Sequence, residues 1–169
     1  DYNGAISNFT KAIKLNEFQE IISKAYFNRA KVKRISKDYN GSISDYTEAI
    51  RLYTSSQDVF TAQAYVNRGV VKSLLKDNYG AIADFNKAIE LDPNDAIAYY
   101  NRGWSKDNLK DYNGAIADFT KAIELDPNYT DAYFNRGSTK SELKNYSGAI
   151  VDYTKVIEID PNDDLAYNY

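Results

Sequence analysis

The sequence predicts an all-α solenoid of antiparallel helix pairs, and three observations predict it. A 34-residue segment recurs in register at 62–95, 96–129 and 130–163. Pro93, Pro127 and Pro161 fall on the same beat of each copy. Within each copy, apolar residues return at three- and four-residue intervals, the period of one helix face. A fixed period between 20 and 50 residues marks stacked units that bury their apolar faces only against neighbours.

The copy 96–129 sets the template. Residues 96–109 read as a first helix, with Tyr99, Gly103 and Leu109 at packing positions. Lys110, Asp111, Tyr112 and Asn113 read as the turn. Residues 114–125 read as a second helix, with Ala115, Ile116, Phe119, Ala122 and Ile123 on one face. Asp126-Pro127-Asn128 ends it, because proline cannot continue a helix and disfavours helix in the residue before it. Gly103 and Ala115 carry no bulk, so two antiparallel helices can approach closely there.

The remaining segments follow in order. Residues 1–15 match only the second helix of a unit, so 1–22 reads as the second helix of a truncated repeat plus a junction. A repeat with an insertion spans 23–61; nothing breaks its first helix on the N-terminal side, so that helix starts early, within about 17–21. Its second helix covers 38–52. Thr54, Ser55, Ser56 and Gln57 read as loop, and Asp58 as an N-cap for a helix starting at Val59. Residues 164–169 resemble the start of a further first helix, with Tyr167 at the place of Tyr133.

This pattern resembles the tetratricopeptide repeat. Tyr99 (where that family usually has Trp), Gly103, Ala115, Phe119, Ala122 and Pro127 fall at its spacing. Two positions depart: Arg102 stands where an apolar residue is usual, and Lys106 where Tyr is. The resemblance implies a single array wound as a right-handed superhelix, first helices lining a concave groove. It also implies a non-enzymatic protein–protein interaction module that binds a peptide segment in that groove. The alternative is a structural scaffold that self-associates end to end through exposed repeat faces such as those of Ile6, Phe9 and Ile13 or Ile150, Tyr153 and Ile157.

Composition narrows the classes. Net charge is −3, against a general nucleic-acid or anionic-membrane binder. There is no cysteine, so no disulfide or thiolate metal site, and compartment stays open. There is no histidine, which removes the commonest general base and metal ligand. No run of 18 apolar residues exists to span a membrane. The expected partner is a protein or peptide, with no cofactor, metal or catalytic residue and no direct membrane insertion. Helical-repeat RNA readers share the hairpin architecture, but they are basic.

Two recurring rows carry the site expectations. Arg29, Arg68, Arg102 and Arg136 recur on first helices, and Asp45, Asp84, Asp118 and Asp152 on second helices. An antiparallel hairpin sets each Arg level with its Asp, which favours an ion pair within the unit. The second row is Asn28, Asn67, Asn101 and Asn135, preceded by Phe27, Val66, Tyr100 and Phe134. In the family this position faces the concave surface, and a similar asparagine ladder in the repeats of O-GlcNAc transferases holds an extended peptide. An amide offers both donor and acceptor, as a peptide backbone requires; the same residue could instead cap or bridge neighbouring repeats. The family's carboxylate clamp fails here: Phe27, Lys31, Ile97 and Asn101 are not its residues. Lys24, Lys31 and Arg34 would give the groove a basic end, Tyr100 and Trp104 an aromatic middle, and Asp131 and Glu142 an acidic end.

Overall fold

The computed structural model describes residues 1–15, 18–53 and 59–160. Among them are nine helices and no strand: α1 Tyr2–Leu15, α2 Gln19–Ile35, α3 Tyr39–Leu52, α4 Val59–Leu74, α5 Asn78–Leu91, α6 Ala96–Asn108, α7 Tyr112–Leu125, α8 Thr130–Glu142 and α9 Tyr146–Ile159. The expected loop 54–57, the Asp58 cap and the 164–169 segment lie outside the described residues.

Each hairpin turn is built by the same few residues. Asp38, Asp77, Asp111 and Asn145 accept a hydrogen bond at 2.9–3.1 Å from the backbone N–H of the glycine three positions on. That cap satisfies a backbone donor that the helix itself leaves free. A Cβ on Gly114 would lie 2.2 Å from Asp111 Oδ2, so glycine is what lets the cap close. Tyr112 and Asn113, expected in the turn, are therefore the first residues of α7. The turn is shorter because Lys110 takes a positive φ of 63°. Lys110 N–H then donates to the Asp107 carbonyl at 2.8 Å and Asp111 N–H to the Lys106 carbonyl at 2.9 Å, a Schellman closure. Lys37, Lys76 and Lys144 do the same. At the other hairpin end, Asp92 and Asp126 are extended, as a residue before proline must be.

The described helices fall into two compact units, Asp1–Pro93 and Asn94–Tyr169. In the first, α2 packs on α3 and α4 on α5, while α1 covers α2 and α3 covers α4. Phe27, Ala30, Tyr46, Ala49, Ala64 and Val71 form its core, with Ile43, Ile50 and Phe60 against it. α1 buries no residue fully; Ile6, Phe9 and Ile13 are half-buried.

In the second unit, α6 packs on α7, α8 on α9 and α7 on α8, with α6 also touching α8. A Cβ on Gly103 would meet the Phe119 ring at 2.9 Å and the Ala115 carbonyl oxygen at 3.2 Å, so the close approach of α6 and α7 requires glycine. It seats Phe119 fully inside, a burial worth roughly 1.5–3 kcal/mol. Tyr153, expected on an open apolar end, is instead buried beneath α8 beside Gly137 and Phe134. Ile157 is half-buried. The residues that do face outward on α9 are Ile150, 63% exposed, and Val151, 67% exposed.

Candidate peptide-binding faces

Every complete hairpin holds one buried carboxylate between two cations. Arg29, Arg68, Arg102 and Arg136 each grip Asp45, Asp84, Asp118 and Asp152 with Nε and Nη2 at 2.6–3.0 Å. The planar fork matches the two carboxylate oxygens, so the pairing is bidentate. Lys33, Lys72, Lys106 and Lys140 reach the same carboxylates at 2.7–2.9 Å. The third guanidinium nitrogen of Arg29, Arg68 and Arg136 donates to Thr10, Thr47 and Thr120 on the preceding second helix, at 2.9–3.0 Å. Each Arg also lies over a tyrosine ring one turn earlier, at 5.1–5.5 Å. α1 has Asn8 at the Asp position, exposed. The cluster joins helix to helix and repeat to repeat. It also explains both departures at Arg102 and Lys106: they act together on Asp118, and Lys106 is not simply a surface residue.

The asparagines stand one position before the arginines, about 100° round the first helices. The side-chain N–H of Asn67, Asn101 and Asn135 donates to the carbonyl of the residue four positions back at 2.8–2.9 Å. These three amides are half-exposed and Asn28 is exposed. The back-bond fixes each amide along its helix and leaves the amide oxygen as an acceptor. Asn135 also donates to the Tyr100 hydroxyl at 2.9 Å, so within the second unit one member bridges adjacent repeats.

The residues before the asparagines divide. Phe27 and Val66, expected beside a ligand, are buried at 8% and 7% exposure. Phe27 packs on Tyr46 and Phe60 at 5.5 and 4.9 Å, so its ring belongs to the core. Tyr100 and Phe134 are half-buried; Tyr100 lies against Tyr129 at 4.9 Å and Phe134 against Tyr153 at 5.6 Å. Burial, and secondarily the charge of Asp131, raises the Tyr100 phenol to about 12, against the Asn135 hydrogen bond. Burial also raises Tyr129, helped by Tyr100 and by Asp131, Asp95 and Asp126.

The expected basic end is thinner than its sequence. Of the six basic residues in 24–37, Arg29 and Lys33 turn to Asp45, and Lys24 pairs with Glu20 at 2.5 Å. Lys31 is exposed, 5.9 Å from the Phe27 ring. Arg34 is half-buried, and its charge works against the burial that raises the Tyr46 hydroxyl to about 12. In the second unit, Trp104 is 39% exposed, one helical face with Ile97, 55% exposed, and Asn101. Asp131 and Glu142 are exposed on α8, and Asp107 accepts from Thr139 at 2.7 Å. Sequence reasoning missed two things here. The lysines recur 12 positions before each Asp, a signal that was readable. Tyr129, whose ring backs Tyr100, has no counterpart in the other copies and gave no signal.

Among the described residues, no group of three or more acidic, cysteine or histidine side chains could hold a metal. No described helix is long and apolar enough to cross a membrane.

Family models described as tetratricopeptide repeat match residues 96–129, 130–163 and 23–55, and one described as TPR repeat matches 75–104. No curated protein sequence matches. Among solved structures, YrrB, titled a TPR protein with an unusual peptide-binding site, is 24% identical with a TM-score of 0.80, covering 99% of this chain and 82% of its own. MamA is 22% identical with a TM-score of 0.84, covering 100% of this chain and 92% of its own. At these identities the likeness is one of fold. The first TPR of Spaghetti (RPAP3), bound to an HSP90 peptide, is 28% identical with a TM-score of 0.64, covering 68% of this chain and 91% of its own.

Proposed function

The chain belongs to the tetratricopeptide repeat family, and from that premise we propose that it is a protein-interaction module whose first-helix faces hold an extended peptide segment of a partner. The observation that carries this reading is the asparagine row. Three of its residues are half-exposed and pinned by the same amide N–H back-bond, which leaves the amide oxygen as an acceptor. A peptide backbone N–H is the donor such an oxygen takes. That solved relatives include a TPR protein with a peptide-binding site and a TPR bound to a peptide supports the same reading. The buried carboxylates Asp45, Asp84, Asp118 and Asp152 are each held by two cations, which ties them to the scaffold.

The test uses blocked synthetic peptides recovered from a random peptide library on the full chain. Asn67→Ala and Asn101→Ala should each weaken binding by at least about 1 kcal/mol, the loss typical of a hydrogen bond left unmade. Thermal stability should hardly change. Unchanged affinity with a lower melting temperature would make the row structural.

A second reading, self-association through an open repeat face, has its own observation. Ile150 and Val151 line a groove of about 340 Å³ with Tyr133, Arg136, Thr154 and Lys155. Sedimentation that stays monomeric at millimolar concentration would sink it.

A further inference from the structure

The α6/α8 face of the second unit has a chemistry that selects its occupant. Ile97, Asn101, Trp104 and Asn108 recur at three- and four-residue steps on α6, so they form one stripe. Ile97 and Trp104 are large and apolar, 55% and 39% exposed. α8 runs alongside, joined by the Asn135–Tyr100 bond at 2.9 Å and the Thr139–Asp107 bond at 2.7 Å. Those two bonds set Trp104 level with the stretch between Asn135 and Thr139.

Within the two helices of this stripe every cation is already committed, and the exposed Lys110 and Lys144 stand in the turns beyond them. α6 and α8 contain four cations, Arg102, Lys106, Arg136 and Lys140. The first two grip Asp118 and the last two grip Asp152, on the second helices. The acids of the two helices are left over: Asp107 beside Thr139, and Asp131 and Glu142 exposed on α8. Asp95 and Asp126 add to the field near Tyr129, as the rise of its phenol reflects. A bound segment therefore meets an aromatic and aliphatic stripe with carboxylates at both ends and no available cation from these helices.

We infer that this face docks an extended segment that sets an aliphatic or aromatic side chain against Ile97 and Trp104 and a lysine or arginine against Asp131 or Glu142. The inference rests on the first-helix reading above and names the partner that reading left open. It runs opposite in sign to a site that captures a terminal carboxylate.

Trp104 is the only tryptophan, so its emission reports occupancy of this face directly. Random dodecamers displayed on phage are selected on the full chain, resynthesised with both ends blocked, and titrated while Trp104 emission is read. The expected sequences pair a large apolar residue with Lys or Arg, shift the emission to the blue and weaken as salt rises. On the double variant Asp131→Lys/Glu142→Lys they should weaken by about tenfold or more, because like charges then face each other. Both positions are exposed, so circular dichroism should be unchanged; Asp131→Asn/Glu142→Gln serves as the milder pair and should weaken binding less. Selected peptides that move Trp104 but carry Asp or Glu, or whose affinity ignores both pairs, overturn the charge assignment and leave the first-helix reading standing. Peptides that bind without moving Trp104 and without responding to Asn67→Ala or Asn101→Ala, or a library with no binder at millimolar concentration, overturn the first-helix reading and this inference with it.

Discussion

α2 of the first unit and α8 of the second point the same residues inward and different residues outward. Inward, both carry an Arg and a Lys on one buried Asp, with the Arg over a tyrosine and bonded to a threonine of the preceding repeat. Outward, α2 presents Lys24, paired with Glu20, and the exposed Lys31. α8 presents Asp131 and Glu142. Their neighbours α4 and α6 repeat the lesson, for the only cations of each are held by Asp84 and Asp118. The fold thus keeps one charge cluster per hairpin and leaves the outward positions free to vary. What differs between units is where recognition should be sought.

The largest effect tests the shared half of that comparison. Asp118→Ala leaves Arg102 and Lys106 partly buried without their carboxylate, and should cost about 3 kcal/mol of stability in the second unit. Asp45→Ala should cost the first unit a similar amount. Urea unfolding followed by circular dichroism measures both. Losses under about 1 kcal/mol would mean the clusters are solvated surface pairs.

Much of this was legible in the sequence, and the misses have physical reasons. The 34-residue period named the hairpins, and level placement across an antiparallel pair named the Arg–Asp contacts. The lysines were missed because one carboxylate was matched with one cation, although two oxygens accept from both. The sequence sets Phe27 and Val66 beside a ligand because they precede the asparagines, whereas both are buried. Adjacent helical residues sit about 100° apart, so the residue before an asparagine need not share its face, and Phe60 packs on the Phe27 ring at 4.9 Å. Free charge could not be read at all without knowing which cations the buried aspartates take.

The next effect is a response to alkali. The Tyr46 and Tyr100 phenols rise from 10.0 to about 12, with burial the first cause in both, and Tyr129 rises too. The folded state keeps these protons while the unfolded chain loses them above pH 10. Stability they contribute is therefore complete below pH 10 and falls as pH climbs through about 12. The second unit, holding two of the three, should unfold at the lower pH. Tyr129→Phe should narrow the gap; equal alkaline midpoints before and after would remove that contrast.

A smaller effect tests the outward half. Lys24→Glu/Lys31→Glu should slow association of acidic library peptides severalfold at low salt and abolish its salt dependence. Arg34 is the wrong residue for this test, because it is half-buried near Tyr46 and its loss would mix stability with charge. Indifference to the reversal would mean the α2 lysines are only a solvated face.

The smallest effect returns to the scaffold. Lys37 and Lys110 hold φ of 66° and 63°, where a side chain costs about 1 kcal/mol and glycine costs nothing. Each closes the same pair of hydrogen bonds, so the geometry is kept when the side chain is removed. Glycine also gives the unfolded chain more freedom, and removing the lysine takes a positive charge from the negative end of a helix dipole. Both terms reduce the gain. Lys37→Gly and Lys110→Gly should each stabilise their own unit by no more than about 0.5 kcal/mol, and by the same amount. If Lys37→Gly destabilised the first unit while Lys110→Gly stabilised the second, the lysine charge would matter to one turn and not the other. The turns would then join the outward residues as a difference between the units.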